Sequence, residues 1–160
     1  LQARSAMSGM WAVSTCLNLP AALYAALLAH AQATPTLEVC GLLGGREACA
    51  LSLYRIPNED PSPATAFEMA PQAMLAAFQT MRARDEELVG IYHSHPQSPP
   101  SPSARDLAAA AYPGVAYLVV SLLPPAPALG AFLFDGTGFR PISLRVRPEV
   151  KAARLPPISG

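Results

Sequence analysis

Two histidines, His93 and His95, stand one residue apart at the end of ELVGIYHSH. The apolar stretch before them reads as a buried strand over 87–95. Residues i and i+2 of a strand point to one face. Two imidazoles on one face can chelate a divalent metal, zinc being the usual ion for nitrogen donors. Ser94 then faces the other side, and Pro96, with no N–H to donate, ends the ladder. Beyond QSPPSP comes Asp106. The prolines stiffen that return and lower the entropy lost in fixing a third ligand. His, His and Asp leave one tetrahedral position for water, the pattern of a catalytic zinc. Such an ion brings the pKa of its water to about 7.

Plainer readings stand beside this one. A histidine pair on a strand can be solvent-exposed or a satisfied core pair. Ser103-Ala-Arg-Asp106 matches a helix capping box, and taken alone the cap is the better reading. Both roles can coexist, because i and i+3 share a helical face. Hydrolysis also needs a base that takes a proton from water and passes it to the leaving group. Glu38 is a candidate, a charge at the start of the apolar run TLEVCGLLGG. Glu68 in AFEMA competes with it, and either could be a solvated strand end. The Ser103 hydroxyl is a candidate donor to a developing oxyanion.

The elements that must place these groups follow from periodicity and breakers. Strands are expected over 11–19 and 39–45, the latter closing in two glycines and pairing with 48–56 as a hairpin. Helices are expected over 20–33, with proline at its start and Thr34-Pro35 at its end, over 70–87, and over 103–112. Residues 57–66 read as a loop, and 66–70 as a short strand. A buried strand covers 114–123, and 128–146 reads as a hairpin with DGTG as its turn. Strands mixed with two or three helices argue for an α/β (α+β) arrangement around one central sheet.

Composition narrows the class. The chain has 160 residues, 51 % hydrophobic and 14 % charged, with zero formal net charge. That is globular, and without a basic stripe it argues against nucleic acid as a partner. The three cysteines, Cys16, Cys40 and Cys49, show no CxxC spacing. This argues against a disulfide framework or thiolate zinc site and fits a reducing, cytoplasmic setting. The charge-free stretch 107–134 is long enough to span a bilayer. Its prolines and its VAYLVV run point instead to two buried strands, so no membrane role is expected. The N-terminal apolar stretch faintly mimics a signal peptide, but Asn18 and Pro20 interrupt it. Residues 1–9 are expected to be an expression remnant or a disordered N-terminus, 10–150 one domain, and 151–160 a tail.

HSHPQSPPSPSARD resembles the signature of the JAMM/MPN+ (Mpr1/Pad1 N-terminal domain) zinc metalloproteases: His-x-His-Pro, six residues, Ser-x-x-Asp. TLEVCGLLGG is similar to the glutamate-bearing strand upstream in that family, and the resemblance runs from Leu17 to Val146. It implies an MPN domain, a curved mixed sheet flanked by helices, broadly like cytidine deaminases. It implies one Zn2+ on His93, His95 and Asp106 with water as fourth ligand. It assigns Glu38 as general acid/base over Glu68, and Ser103 as stabiliser of the tetrahedral intermediate. Members hydrolyse peptide or isopeptide bonds, typically after the C-terminal Gly-Gly of a ubiquitin-like protein. The brevity of 57–66 and of the sequence after Val146 resembles the compact prokaryotic members. For these the implied partners are β-grasp sulfur carriers related to ThiS and MoaD. Monomer and homodimer both stay open. A metal-free MPN scaffold and a cell-wall or phage-tail peptidase are the alternatives. A zinc deaminase is disfavoured, since H-x-E and P-C-x-x-C are absent.

Overall fold

The structure is a computed structural model that describes residues 15–125 and 127–148. The expected remnant 1–9, the first residues of strand 11–19 and the tail 151–160 lie outside the described residues. The elements run β1 (Cys16–Pro20), α1 (Ala21–Ala33), β2 (Cys40–Arg46), β3 (Cys49–Ile56) and α2 (Pro71–Ala83). Then come β4 (Glu87–His95), α3 (Ala104–Ala109), β5 (Ala116–Ser121), β6 (Ala128–Phe134), β7 (Phe139–Pro141) and β8 (Ser143–Arg147).

All eight strands form one mixed sheet in the order β7-β6-β5-β4-β2-β3-β1-β8. β4 lies near its middle, antiparallel to β2 and parallel to β5. A parallel pair needs a crossover, and here the crossover carries α3. β5 is buried throughout, as is β4 from Val89 onward. Helices cover both faces, which is why these strands read as near-continuous apolar runs. On one face α1 packs Leu27 and Ala31 against Leu19, Leu43, Tyr92 and Leu118. On the other, α2 packs Ala77 and Met81 against Leu42, Ile91 and Tyr117. The mixed sheet with flanking helices is the α+β arrangement that the resemblance implies.

The β2–β3 hairpin turns at Glu47 and Ala48, both with positive φ (49° and 60°), not at the glycines before them. Both central residues are left-handed, as a two-residue turn matching the sheet twist requires.

Four boundaries differ from the sequence reading. AFEMA is no strand; its only ladder contact is the single bridge Asn58↔Met69. The helix expected over 70–87 ends at Ala83, because Asp85 turns left-handed (φ 55°). Its N–H and that of Glu86 then donate back to the carbonyls of Arg82 and Met81, a Schellman closure. The helix expected over 103–112 ends at Ala109, since the Tyr117 hydroxyl accepts the N–H groups of Ala111 and Tyr112.

The expected hairpin 128–146 holds only for β6 and β7. The Asp135 carboxylate organises its turn by accepting from the Thr137 and Gly138 N–H groups. After Ile142 the chain leaves to pair β8 in parallel with β1. β7 and β8 are one residue apart yet stand at opposite ends of the strand order. The sheet therefore curls until its two edges nearly meet. Among the described residues no helix is long and apolar enough to cross a membrane. The charge-free stretch 107–134 supplies part of α3 and the strands β5 and β6.

Candidate metal centre

The C-terminal end of β4 places Ile91, His93 and His95 on the α2 side of the sheet. His93 and His95 are buried, 2 % and 4 % exposed. Their Nε2 atoms lie 3.0 Å apart, and Asp106 Oδ2 lies 3.1 and 3.2 Å from them. A tetrahedral ion with bonds of about 2.0–2.1 Å would space its ligand atoms by about 3.3 Å. The three atoms converge at nearly that spacing, and two nitrogens with one carboxylate suit zinc chemically. The residues present therefore fit such an ion.

The proton on His95 is placed by its neighbour. Its Nδ1 lies 2.9 Å from the Pro99 carbonyl, which only accepts, so Nδ1 donates; in the neutral ring Nε2 then keeps its lone pair, and in the protonated ring it donates to Asp106. His93 has no such partner: its Nδ1 is buried without a hydrogen bond. Instead the Phe67 ring stacks on it, with centroids 4.5 Å apart and planes at 24°. Burial pushes the His93 pKa down. For His95 burial acts the same way, but hydrogen bonds to Asp106 and Pro99 prevail and hold it above its ordinary value. Burial would raise Asp106; hydrogen bonds from both histidines prevail and keep it well below the usual carboxylate range.

The proline loop that delivers Asp106 is anchored from the neighbouring strands. The Ser121 hydroxyl, at the end of β5, donates to the Ser98 carbonyl at 2.6 Å. The Pro100 carbonyl sits against Gly130 on β6, where a Cβ would collide with it. Ser103 then caps α3. Its Oγ accepts the Asp106 N–H at 3.1 Å, and Asp106 Oδ2 accepts the Ser103 N–H at 2.8 Å. The capping box and the convergence on the histidines thus use the same carboxylate oxygen. A hydroxyl that accepts through a lone pair keeps its own hydrogen, so Ser103 can still donate.

Glu38 is 6 % exposed, and its Oε2 is buried without a hydrogen-bond partner among the described residues. Burial raises its pKa to about 7, against the opposing charge of His95. Its main chain is held on both sides: its N–H donates to the Pro63 carbonyl at 2.7 Å, and its carbonyl accepts from Asn58 at 2.9 Å. Glu68 is exposed. Both carboxylates are near the centre, since Glu68 borders the adjoining cavity, but only Glu38 is buried.

That cavity, about 260 Å³, opens beside His93 and Asp106. Phe67, Met69, Met74, Ile91, Tyr117 and Phe139 give it an apolar wall. Sequence reasoning missed Asn58, Phe67, Ser94 and Ser121. Ser94 had a signal, since a polar residue inside a buried strand needs a partner. It accepts the Val39 N–H at 2.9 Å. Phe67 and Asn58 lie in an irregular loop, where periodicity carries no information.

Residues 20–132 match the family described as prokaryotic homologs of the JAB domain. A desampylase of Haloferax volcanii is 32 % identical over 139 residues, 83 % of this chain and 98 % of that one. A probable TtuB-protein conjugate cleaving protease of Thermus thermophilus is 36 % identical over 91 residues, 57 % of this chain and 61 % of that one. The CysO-cysteine peptidase of Mycobacterium tuberculosis is 34 % identical over 102 residues, covering 62 % and 69 % of the two chains. Among solved structures, a Desulfitobacterium hafniense protein superposes with TM-score 0.76 at 34 % identity, over 84 % of this chain and 95 % of that one. A JAB1/MPN domain protein of Archaeoglobus fulgidus shares the fold, with TM-score 0.55 at 16 % identity over 81 % and 97 % of the chains. With the family model matched over residues 20–132 and a relative matched nearly end to end, this chain belongs to the prokaryotic homologues of the JAB domain.

Proposed function

We propose that this chain is a zinc-dependent metallopeptidase and isopeptidase. It hydrolyses the bond after the C-terminal Gly-Gly of a ubiquitin-like, β-grasp carrier of the ThiS and MoaD type. The observation that carries this reading is the convergence of His93 Nε2, His95 Nε2 and Asp106 Oδ2 within 3.0–3.2 Å of one another. The relatives support cleavage of a protein conjugate: one is named as a probable TtuB-protein conjugate cleaving protease and another as a CysO-cysteine peptidase. The catalytic unit is a single domain over 10–150.

His93, His95 and Asp106 hold the zinc. When bound it supplies Lewis-acid chemistry, polarising the scissile carbonyl and acidifying water. Glu38 moves the protons. A carboxyl held near 7 can take a proton from attacking water and return it to the leaving amine at neutral pH, where an ordinary carboxylate is a weaker base. Ser103 donates its hydroxyl hydrogen to the oxygen that gains charge as the carbonyl becomes tetrahedral. Glycine suits the residue at the scissile bond, because without a Cβ its backbone can lie close to the metal. The apolar cavity beside His93 takes a larger side chain of the substrate.

The test is cleavage of carrier fusions and conjugates, read by mass spectrometry. Wild type should release the free carrier with an intact Gly-Gly end. His95→Ala and Glu38→Gln should not. Equal cleavage by all three would overturn the reading.

A further inference from the structure

The segment between β3 and α2, residues 57–70, has a single β-bridge and no helix, yet it is tightly ordered around one side chain. The Asn58 amide group donates to the carbonyls of Glu38 and Ala66, both at 2.9 Å. Its Oδ1 accepts the N–H groups of Asp60 and Glu68, both at 3.0 Å. An asparagine side chain offers two donor hydrogens and two acceptor lone pairs. All four are used.

The four partners are not scattered. One is the main chain of Glu38. Two, Ala66 and Glu68, flank Phe67, whose ring stacks on His93. The fourth is Asp60, whose Oδ2 pairs with Arg105 at 2.9 Å, on α3 and adjacent to Asp106. Histidine ligands are ordinarily oriented through their second ring nitrogen. His95 is held that way by Pro99, but the Nδ1 of His93 is buried with no partner among the described residues. The orientation of the His93 ring therefore falls to the aromatic face against it. That face is fixed only as well as the peptides on either side of it.

We propose that Asn58 is a positioning residue of the metal centre, its amide clamping Phe67 onto His93 while fixing the Glu38 main chain. The inference rests on reading His93 as a metal ligand and Glu38 as the proton carrier. It adds a residue that touches neither metal nor substrate. Asp60 extends the same clamp to α3, so one loop fastens the segment of Glu38 before β2, the ring of His93 and the helix of Asp106.

The experiment compares wild type, Asn58→Ala, Asn58→Asp, Phe67→Leu and Phe67→Tyr. Zn2+ affinity is read by chelator competition, ligand geometry by the visible spectrum of Co2+-loaded protein, and kcat and KM on a carrier fusion. Both Asn58 variants should bind Zn2+ about 10–100-fold more weakly, as loss of an outer partner does. They should also shift the Co2+ bands and lose kcat at least tenfold, with KM little changed. Asn58→Asp keeps both acceptors and loses both donors, so it should resemble Asn58→Ala. Phe67→Leu should reproduce the Zn2+ and Co2+ effects, and Phe67→Tyr, which keeps the ring, should not.

A folded Asn58→Ala with wild-type Zn2+ affinity, Co2+ spectrum and kcat overturns the proposal, even if it melts earlier. If Asn58→Ala does not fold, unchanged Zn2+ affinity in Phe67→Leu overturns it instead. Wild type that holds neither Zn2+ nor Co2+ overturns the underlying metal reading, and this proposal with it.

Discussion

The Ser94 hydroxyl accepts the Val39 N–H at 2.9 Å, on the face of β4 opposite the two histidines that flank it in sequence. Ser94 is fully buried, and Val39 follows Glu38 directly. The bond therefore ties the strand end that carries both imidazoles to the segment just before β2 that carries the buried carboxylate. Ser94→Ala leaves the Val39 N–H inside the protein without an acceptor, at a cost of about 1–3 kcal/mol. The variant should melt several degrees below wild type in a thermal scan. An unchanged melting point would mean that this amide has another partner.

Glu38 should make stability depend on pH in an unusual direction. Its pKa is raised from 4.5 to about 7 in the folded chain, mainly by burial. Between those values the folded chain binds more protons than the unfolded one. Stability therefore falls as pH rises through the window, and above about 7 the buried charge costs on the order of 3 kcal/mol. Glu38→Gln removes the charge and keeps the shape. In metal-free protein it should melt above wild type at about pH 8, and the gap should close as pH falls toward the free-glutamate value. The same variant should lose roughly 10²–10⁴-fold in turnover. Wild-type kcat/KM should rise with pH, because a proton acceptor must first be deprotonated, with a midpoint below the metal-free value of about 7, since a bound dication favours the carboxylate. A Glu38→Gln protein less stable than wild type at both pH values would contradict the burial argument.

Asp106 combines a helix cap with a place in the proposed metal centre, and a substitution can separate the two. Asp106→Asn keeps an oxygen to accept the Ser103 N–H, which Asp106 Oδ2 now accepts at 2.8 Å. It loses the negative charge. Zn2+ affinity, followed by calorimetric titration, should fall by more than the roughly 10–100-fold typical of an outer partner. In the metal-free variant the helix cap itself should cost less than about 1 kcal/mol, because Ser103 stays at the N-cap; any larger loss reports the hydrogen bonds of His93 and His95 to the missing charge. Chelator should lower the melting point of wild type and leave that of Asp106→Asn in place.

The histidine strand was legible because alternation is a local property: i and i+2 share a face whatever the rest of the chain does. The buried strands 39–45 and 114–123 were legible as short apolar runs, and the helix 20–33 by its Ala/Leu content between Pro20 and Thr34-Pro35. The helix ends at Ala83 and Ala109 were not, because each is decided by a distant or special group. Asp85 adopts a left-handed φ without being glycine, and the Tyr117 hydroxyl takes the amides that would have extended α3. The departure of β8 to pair with β1 is a property of sheet closure, invisible to a window of ten residues. At the site, the spacing of His93, His95 and Asp106 could be read directly. The contacts of Asn58, Phe67 and Ser121 join residues far apart in sequence, through loops without periodicity.

Gly130 offers a test of how closely the proline loop must lie. Its missing Cβ leaves the space that the Pro100 carbonyl fills. The adjacent Pro99 carbonyl receives the His95 Nδ1–H at 2.9 Å. Gly130→Ala must push Pro100 away, since neither backbone can swing aside as a flexible side chain would. The displacement draws Pro99 off His95, frees the ring and weakens Zn2+ binding by about 10–100-fold. Gly138, just before β7, has nothing within 4 Å of the position of its Cβ. Gly138→Ala is therefore the matched control and should bind Zn2+ as wild type does. Equal affinity in the two variants would show that the loop can rise without releasing His95.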